Sequence, residues 1–178
     1  MPDFDLKDHI RTVPDFPEPG IMYRDITTLL ANPDALQNAV TSLSDLYRDA
    51  NIEVVAGIDA RGFIFGTAVA IALGVGFVPV RKKGKLPFKT YEQDYALEYG
   101  TDTLQIHADA VSEGQRVLVI DDLIATGGTG EAAIKLLFRT GCEVVGAAFV
   151  IDLPDLGGAA RIEALGVPVE SLVAYSGH

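Results

Sequence analysis

The 178-residue chain has a single cysteine, Cys142, so no disulfide can close within it. Its three histidines, His9, His107 and His178, stand in unrelated contexts. None has a carboxylate or cysteine partner at triad or zinc-ligand spacing, which removes a His-dependent nucleophile and a zinc site from the readings. Cations are scarce: 14 Lys and Arg stand against 25 Asp and Glu, for a net charge of −11. Such a molecule repels a phosphate backbone, so nucleic acid is not an expected partner and any anionic ligand must be met by a local site. No apolar run is long enough to span a bilayer, since the longest, Gly66 to Val80, is short and broken by glycine. The opening MPDFDLKDHI has neither the basic nor the apolar region of an export signal. The expectation is a cytoplasmic protein with no membrane contact, in the reducing compartment that its cysteine usage fits.

What is present is 48% hydrophobic and 22% charged, in a length that closes one core. We expect a single domain over residues 1–178. The 18 glycines, many beside predicted strand ends, mark tight turns rather than disorder. Leu36, Ala39, Val40, Leu43, Leu46 and Tyr47 recur at helical spacing within 33–50, with Asn32 as cap and Pro33 in the first turn. Further on the pattern predicts strands at 54–58, 77–80, 104–107, 117–120, 144–151 and 169–173, and helices at 63–73, 129–139 and 159–165. Gly74 is the predicted C-cap of the first of these helices. Residues 81–100 read as a polar, irregular loop, a lid candidate. Strands alternating with crossover helices imply an α/β fold with a mainly parallel sheet flanked by helices, and ligands in such sheets bind beyond the strand carboxyl ends.

The most informative segment is VLVIDDLIATGGT, residues 117–129. A buried strand delivers Asp121 and Asp122 to the sheet edge, and Thr126, Gly127, Gly128 and Thr129 then open a helix. Glycines let a ligand approach the backbone, unsatisfied first-turn N–H groups point outward, and threonine hydroxyls add donors: an anion site. No lysine follows the glycines, so this is not a Walker A loop. The adjacent carboxylates want hydroxyl donors, of which a ribose has two. The bland alternative, acids capping a turn, does not account for all three features together.

This segment resembles the phosphoribosyl pyrophosphate motif of the type I phosphoribosyltransferases. DFPEPGIMYRDITTLL from Asp15, GIDARGFIFG from Gly57, VRKKGKLP from Val80 and YALEYG from Tyr95 resemble the adenine-specific branch, in order, over most of the chain. The resemblance implies the type I fold, with a small N-terminal hood over about residues 1–32 and a mobile active-site loop. It implies transfer of the 5-phosphoribosyl group from 5-phosphoribosyl pyrophosphate (PRPP) to adenine, giving AMP and pyrophosphate, with Mg²⁺ held through PRPP rather than by direct protein ligands. Asp121 and Asp122 would hold the ribose, and Ala125, Thr126, Gly127, Gly128 and Thr129 the 5-phosphate. Alanine at 125, where 6-oxopurine enzymes usually carry a carboxylate, favours adenine.

Other roles come from the same resemblance. Glu98 would be the general acid or base, although its residue type alone reads as a solvated loop position. Arg61, Arg81, Lys82 and Lys85 would meet pyrophosphate, and the basic loop would reach the neighbouring site of a homodimer. A basic run by itself is usually a solvated surface. Met22, Arg24 and Leu153 would receive adenine, largely through backbone groups, and a cis peptide is implied near Asp59-Ala60. Two competing readings stay open: a phosphoribosyltransferase for xanthine, hypoxanthine or orotate, and a non-catalytic sugar-phosphate sensor.

Overall fold

A computed structural model describes residues 4–97 and 99–177. Seven strands form one sheet: β3 (Val54–Ile58), β4 (Gly76–Lys82), β5 (Thr90–Ala96), β6 (Thr101–His107), β7 (Arg116–Ile124), β8 (Glu143–Asp152) and β9 (Val169–Ala174). Their order is β5-β6-β4-β3-β7-β8-β9. Strands β4-β3-β7-β8-β9 are mutually parallel, and β6 pairs antiparallel with both β4 and β5. A separate hairpin, β1 (Arg11–Pro14) with β2 (Met22–Asp25), forms the N-terminal hood. Helices α1 (Thr27–Ala31), α2 (Pro33–Tyr47), α3 (Gly62–Leu73), α4 (Gly128–Phe138) and α5 (Gly158–Glu163) complete the fold.

The central strands read as unbroken apolar runs because both faces are covered. Val54, Ala56, Val117 and Val119 pack toward α4 and α5 in one core cluster. Val55, Leu118 and Ile120 pack toward α2, α3 and the residues that flank the hairpin, Leu6, Ile10, Ile26 and Leu29, in the other. The period of two thus divides each strand between two cores. Helix α2 begins as its sequence dictates, with the Asn32 side chain accepting from Ala35 N at 3.0 Å and Pro33 at its first position. Gly74 closes α3 with φ 71°.

Two expectations need correction. Residues 81–100 are not one irregular loop: β4 runs on to Lys82, and residues 90–96 form β5, zipped to β6 from Thr90↔His107 to Ala96↔Thr101. Tyr91, Gln93 and Tyr95 alternate with more exposed neighbours, a strand pattern masked by the surrounding polar composition. The apolar run at 117–120 does not stop at the aspartates either. Strand β7 continues to Ile124, because Asp121, Leu123 and Ile124 keep partners Phe149, Ile151 and Asp152 on β8.

Candidate active site

The carboxyl ends of the parallel strands supply the floor of the site, as expected for an open α/β sheet. Beyond β3 comes Asp59-Ala60-Arg61, with a cis peptide between Asp59 and Ala60. Beyond β7 comes the loop Ala125–Gly127 and the start of α4. A cleft of about 500 Å³ connects these segments, and Lys82 and Tyr95 also line it. A second cavity of about 290 Å³ lies between Ile21–Arg24 of the hood and Leu153 with Leu156. Arg61, Asp122, Leu123 and Ala125 line both, so the two are subsites of one continuous site.

Close backbone approach builds the floor. A Cβ on Gly62 would come within 2.9 Å of both Asp121 Oδ1 and Ile120 O, so only glycine lets α3 start beside the acidic pair. At Gly127, φ is +83° and a Cβ would meet Gly158 Cα at 2.8 Å. Gly127 is the N-cap of α4 and brings no side-chain cap to it. The first-turn N–H groups are therefore left for a ligand, beside Thr126 and Thr129 on the same cleft wall.

The charges are arranged to accept hydroxyls on one side and an anion on the other. Asp122 is buried, and Arg61 Nε donates to its Oδ2 at 2.5 Å. Asp121 Oδ1 accepts from Asp122 N at 2.8 Å. Burial at the cleft floor, reinforced by the neighbouring Asp122 carboxylate, pushes the Asp121 carboxyl well above its ordinary range. One guanidinium thus faces two carboxylates, a set that suits a ligand bringing both donors and negative charge.

The basic cluster divides. Lys82 lines the cleft while its Nζ lies 3.3 Å from Asp102. Arg81 Nε donates to Asp59 Oδ2 at 3.0 Å, bracing the segment beyond β3. Lys85 stands on an exposed turn outside the cleft lining. Met22, Arg24 and Leu153 all line the smaller cavity, and Ala125, Thr126, Gly127, Gly128 and Thr129 the larger. Glu98 and His178 lie outside the described residues. His107 accepts from Phe88 N at 3.3 Å, His9 stacks on Phe4, and neither lines the cleft. Cys142 is a core residue, its Sγ 3.3 Å from Leu137 O.

Sequence reasoning missed Tyr95, whose hydroxyl donates to Asp102 Oδ2 at 3.2 Å from within the cleft, and Leu156, which faces the hood. The alternation of β5 could have found Tyr95. Leu156 sits in a one-turn helix, Pro154–Leu156, too short to leave a periodic signal.

Residues 25–168 match the phosphoribosyl transferase domain. The adenine phosphoribosyltransferase of Maricaulis maris is 63% identical over 173 residues, covering 97% of this chain and 99% of that protein. The crystal structure of the Rhodothermus marinus adenine phosphoribosyltransferase aligns with TM-score 0.89 at 53% identity, covering 96% of each chain. That of the Saccharomyces cerevisiae enzyme, complexed with an imino-altritol bisphosphate and adenine, aligns with TM-score 0.88 at 37% identity, covering 94% of this chain and 96% of that one.

Proposed function

The chain belongs to the phosphoribosyltransferase family, among its adenine phosphoribosyltransferases, and from that premise we infer how this site performs the reaction. The enzyme transfers the 5-phosphoribosyl group of PRPP to adenine, giving AMP and pyrophosphate in purine salvage. The observation that supports this best is the junction of a phosphate-accepting cleft with a smaller cavity that has apolar walls, through Arg61, Asp122 and Ala125. An anomeric carbon held at that junction has the base on one side and the leaving group on the other.

The reaction displaces pyrophosphate from that carbon through an oxocarbenium-like transition state. Ala125 to Thr129 hold the 5-phosphate with backbone and hydroxyl donors. Asp121 and Asp122 accept the ribose hydroxyls, and the negative charge that the pair carries between them favours the developing cation. Arg61 and Lys82, which line the cleft, receive the departing pyrophosphate, with Arg81 bracing the segment through Asp59 and Lys85 reaching the neighbouring site of the dimer; Arg61 exchanges part of its pairing with Asp122 for the new anion. Met22, Arg24 and Leu153 border adenine, and Glu98 exchanges a proton with it as acid or base. Closure of the region 81–100 over the cleft would exclude water from the activated sugar.

The donor set is compatible with Mg²⁺. The carboxylate pair at the cleft floor is an oxygen-only set of the kind that completes Mg²⁺ coordination alongside substrate oxygens and water. Asp121 and Asp122 would border the ion, which PRPP itself would hold, and the ion would neutralise charge on the leaving group.

The whole chain, 1–178, acts as one catalytic domain in the cytoplasm, as a homodimer in which the basic segment reaches the neighbouring site. Helix α3 supports the dimer: it is apolar almost all round, as a buried helix is, yet Ile71 is 75% exposed and Ile64 44%. No helix among the described residues is long and apolar enough to cross a membrane. Product formation from PRPP and Mg²⁺ with adenine, hypoxanthine, guanine, xanthine or orotate tests the reading. AMP should dominate; turnover of another base at a comparable rate refutes the base assignment, and donor binding without product favours a sensor.

A further inference from the structure

Arg24 borders the base cavity, yet its guanidinium is engaged elsewhere. Its Nη1 donates to Thr12 Oγ1 on β1 at 2.6 Å, and its guanidinium carbon lies 4.1 Å from the centroid of the Tyr175 ring. Tyr175 follows β9, and its own backbone N donates to Asp152 O at 3.0 Å, one residue before Leu153. Lys7, in the short helix Leu6–His9, places its Nζ 4.8 Å from the same centroid. One aromatic ring is therefore bonded through its backbone to the strand carrying one wall of the base cavity, and stacks through its face on the strand carrying the other.

We propose that Tyr175 is a positioning residue for the base: by stacking on Arg24 it fixes the separation between the hood and Leu153, and so the fit of adenine. The argument rests on the assignment of the smaller cavity to the base. A cation over an aromatic face is favourable and requires a defined approach, so it sets distance as well as affinity. The ring and not the hydroxyl carries this role, because the Tyr175 hydroxyl is buried with no hydrogen-bond partner among the described residues. Arg24 Nε is likewise buried and unpartnered, which leaves the stack and the Thr12 bond as the described restraints on that side chain.

The test is steady-state kinetics on the full-length protein, varying adenine and PRPP separately. Tyr175→Leu keeps apolar bulk but removes the ring; it should raise KM for adenine by on the order of tenfold, the effect of losing a partly desolvated stack, and leave KM for PRPP within about twofold. Tyr175→Phe should behave as wild type in both. A comparable rise in both constants, or no change in either, overturns the proposal, as does a Tyr175→Phe enzyme that resembles Tyr175→Leu. If Tyr175→Leu does not fold, Thr12→Val decides: it loosens Arg24 from the β1 side, and an unchanged KM for adenine is then the refuting result. Wild-type protein that makes no AMP would instead sink the functional reading itself.

Discussion

The floor and the roof of the site are built in opposite ways. The floor, Asp59–Arg61 and Asp121–Thr129, grows from the ends of buried parallel strands and is set by close backbone contacts at Gly62 and Gly127. The roof consists of the hood hairpin, a separate two-stranded sheet, and the β5–β6 hairpin at one edge of the main sheet, with exposed residues such as Met22 and Leu97. Rigid elements suit the part of the substrate that any phosphoribosyl transfer shares. Marginal hairpins, which cost little to rearrange, suit the choice of base and closure over it. On this division, damage to the floor weakens the sugar donor, whereas damage to the roof alters turnover or base affinity.

The largest effect should come from the proposed acid or base. Glu98→Ala should lower kcat by about 10²-fold or more, the usual worth of a positioned acid or base, with KM for PRPP nearly unchanged. Equal losses in both constants would return Glu98 to the role of a solvated loop residue.

A smaller, pH-dependent effect belongs to the floor. Burial and the Asp122 carboxylate raise the folded pKa of Asp121, so the folded protein keeps a proton that the unfolded chain releases above its ordinary carboxylate range. Stability is consequently lost as pH rises from the unfolded value through the folded one. Asp121→Asn, which cannot ionise, should unfold at a higher temperature than wild type near pH 8 and lose that advantage near pH 4, while its KM for PRPP rises. Thermal scans at the two pH values check this; an Asn variant less stable at the higher pH would contradict it.

Most of the floor was legible in the sequence, because a buried strand ending in two acids and a glycine-threonine turn is a local pattern whose chemistry follows from its own residues. The roof was less so. Residues 81–100 read as loop because Glu92, Asp94 and Lys83 dominate the composition, while the strand signal in Tyr91 and Tyr95 is short and is fixed only by pairing with β6. The β1–β2 hairpin was missed because Pro14, Pro17 and Pro19 interrupt any periodic pattern, and its register depends on contacts distant in sequence, such as Arg11 Nη2 with Asp25 Oδ2 at 2.5 Å. Lys85 shows the limit of clustering as a signal: adjacency to Arg81 and Lys82 does not bring it to the cleft of its own chain.

The smallest expected effect is on the exposed side of the roof. If the hood reads adenine through its backbone, Met22→Leu should leave KM for adenine within about twofold of wild type, the usual range for an exposed apolar exchange. A larger change in the same kinetic assay would move base recognition to the side chain.

The division of labour between floor and roof is tested most directly by measuring both Michaelis constants on one variant from each. Gly127→Ala forces a Cβ to within 2.8 Å of Gly158 in a positive-φ residue, and Tyr23→Ala removes a half-buried hood side chain from the lining of the cavity proposed for the base. The account predicts a crossed pattern: the first raises KM for PRPP by about tenfold or more with little change for adenine, and the second does the reverse. Equal rises in both constants for both variants would contradict it.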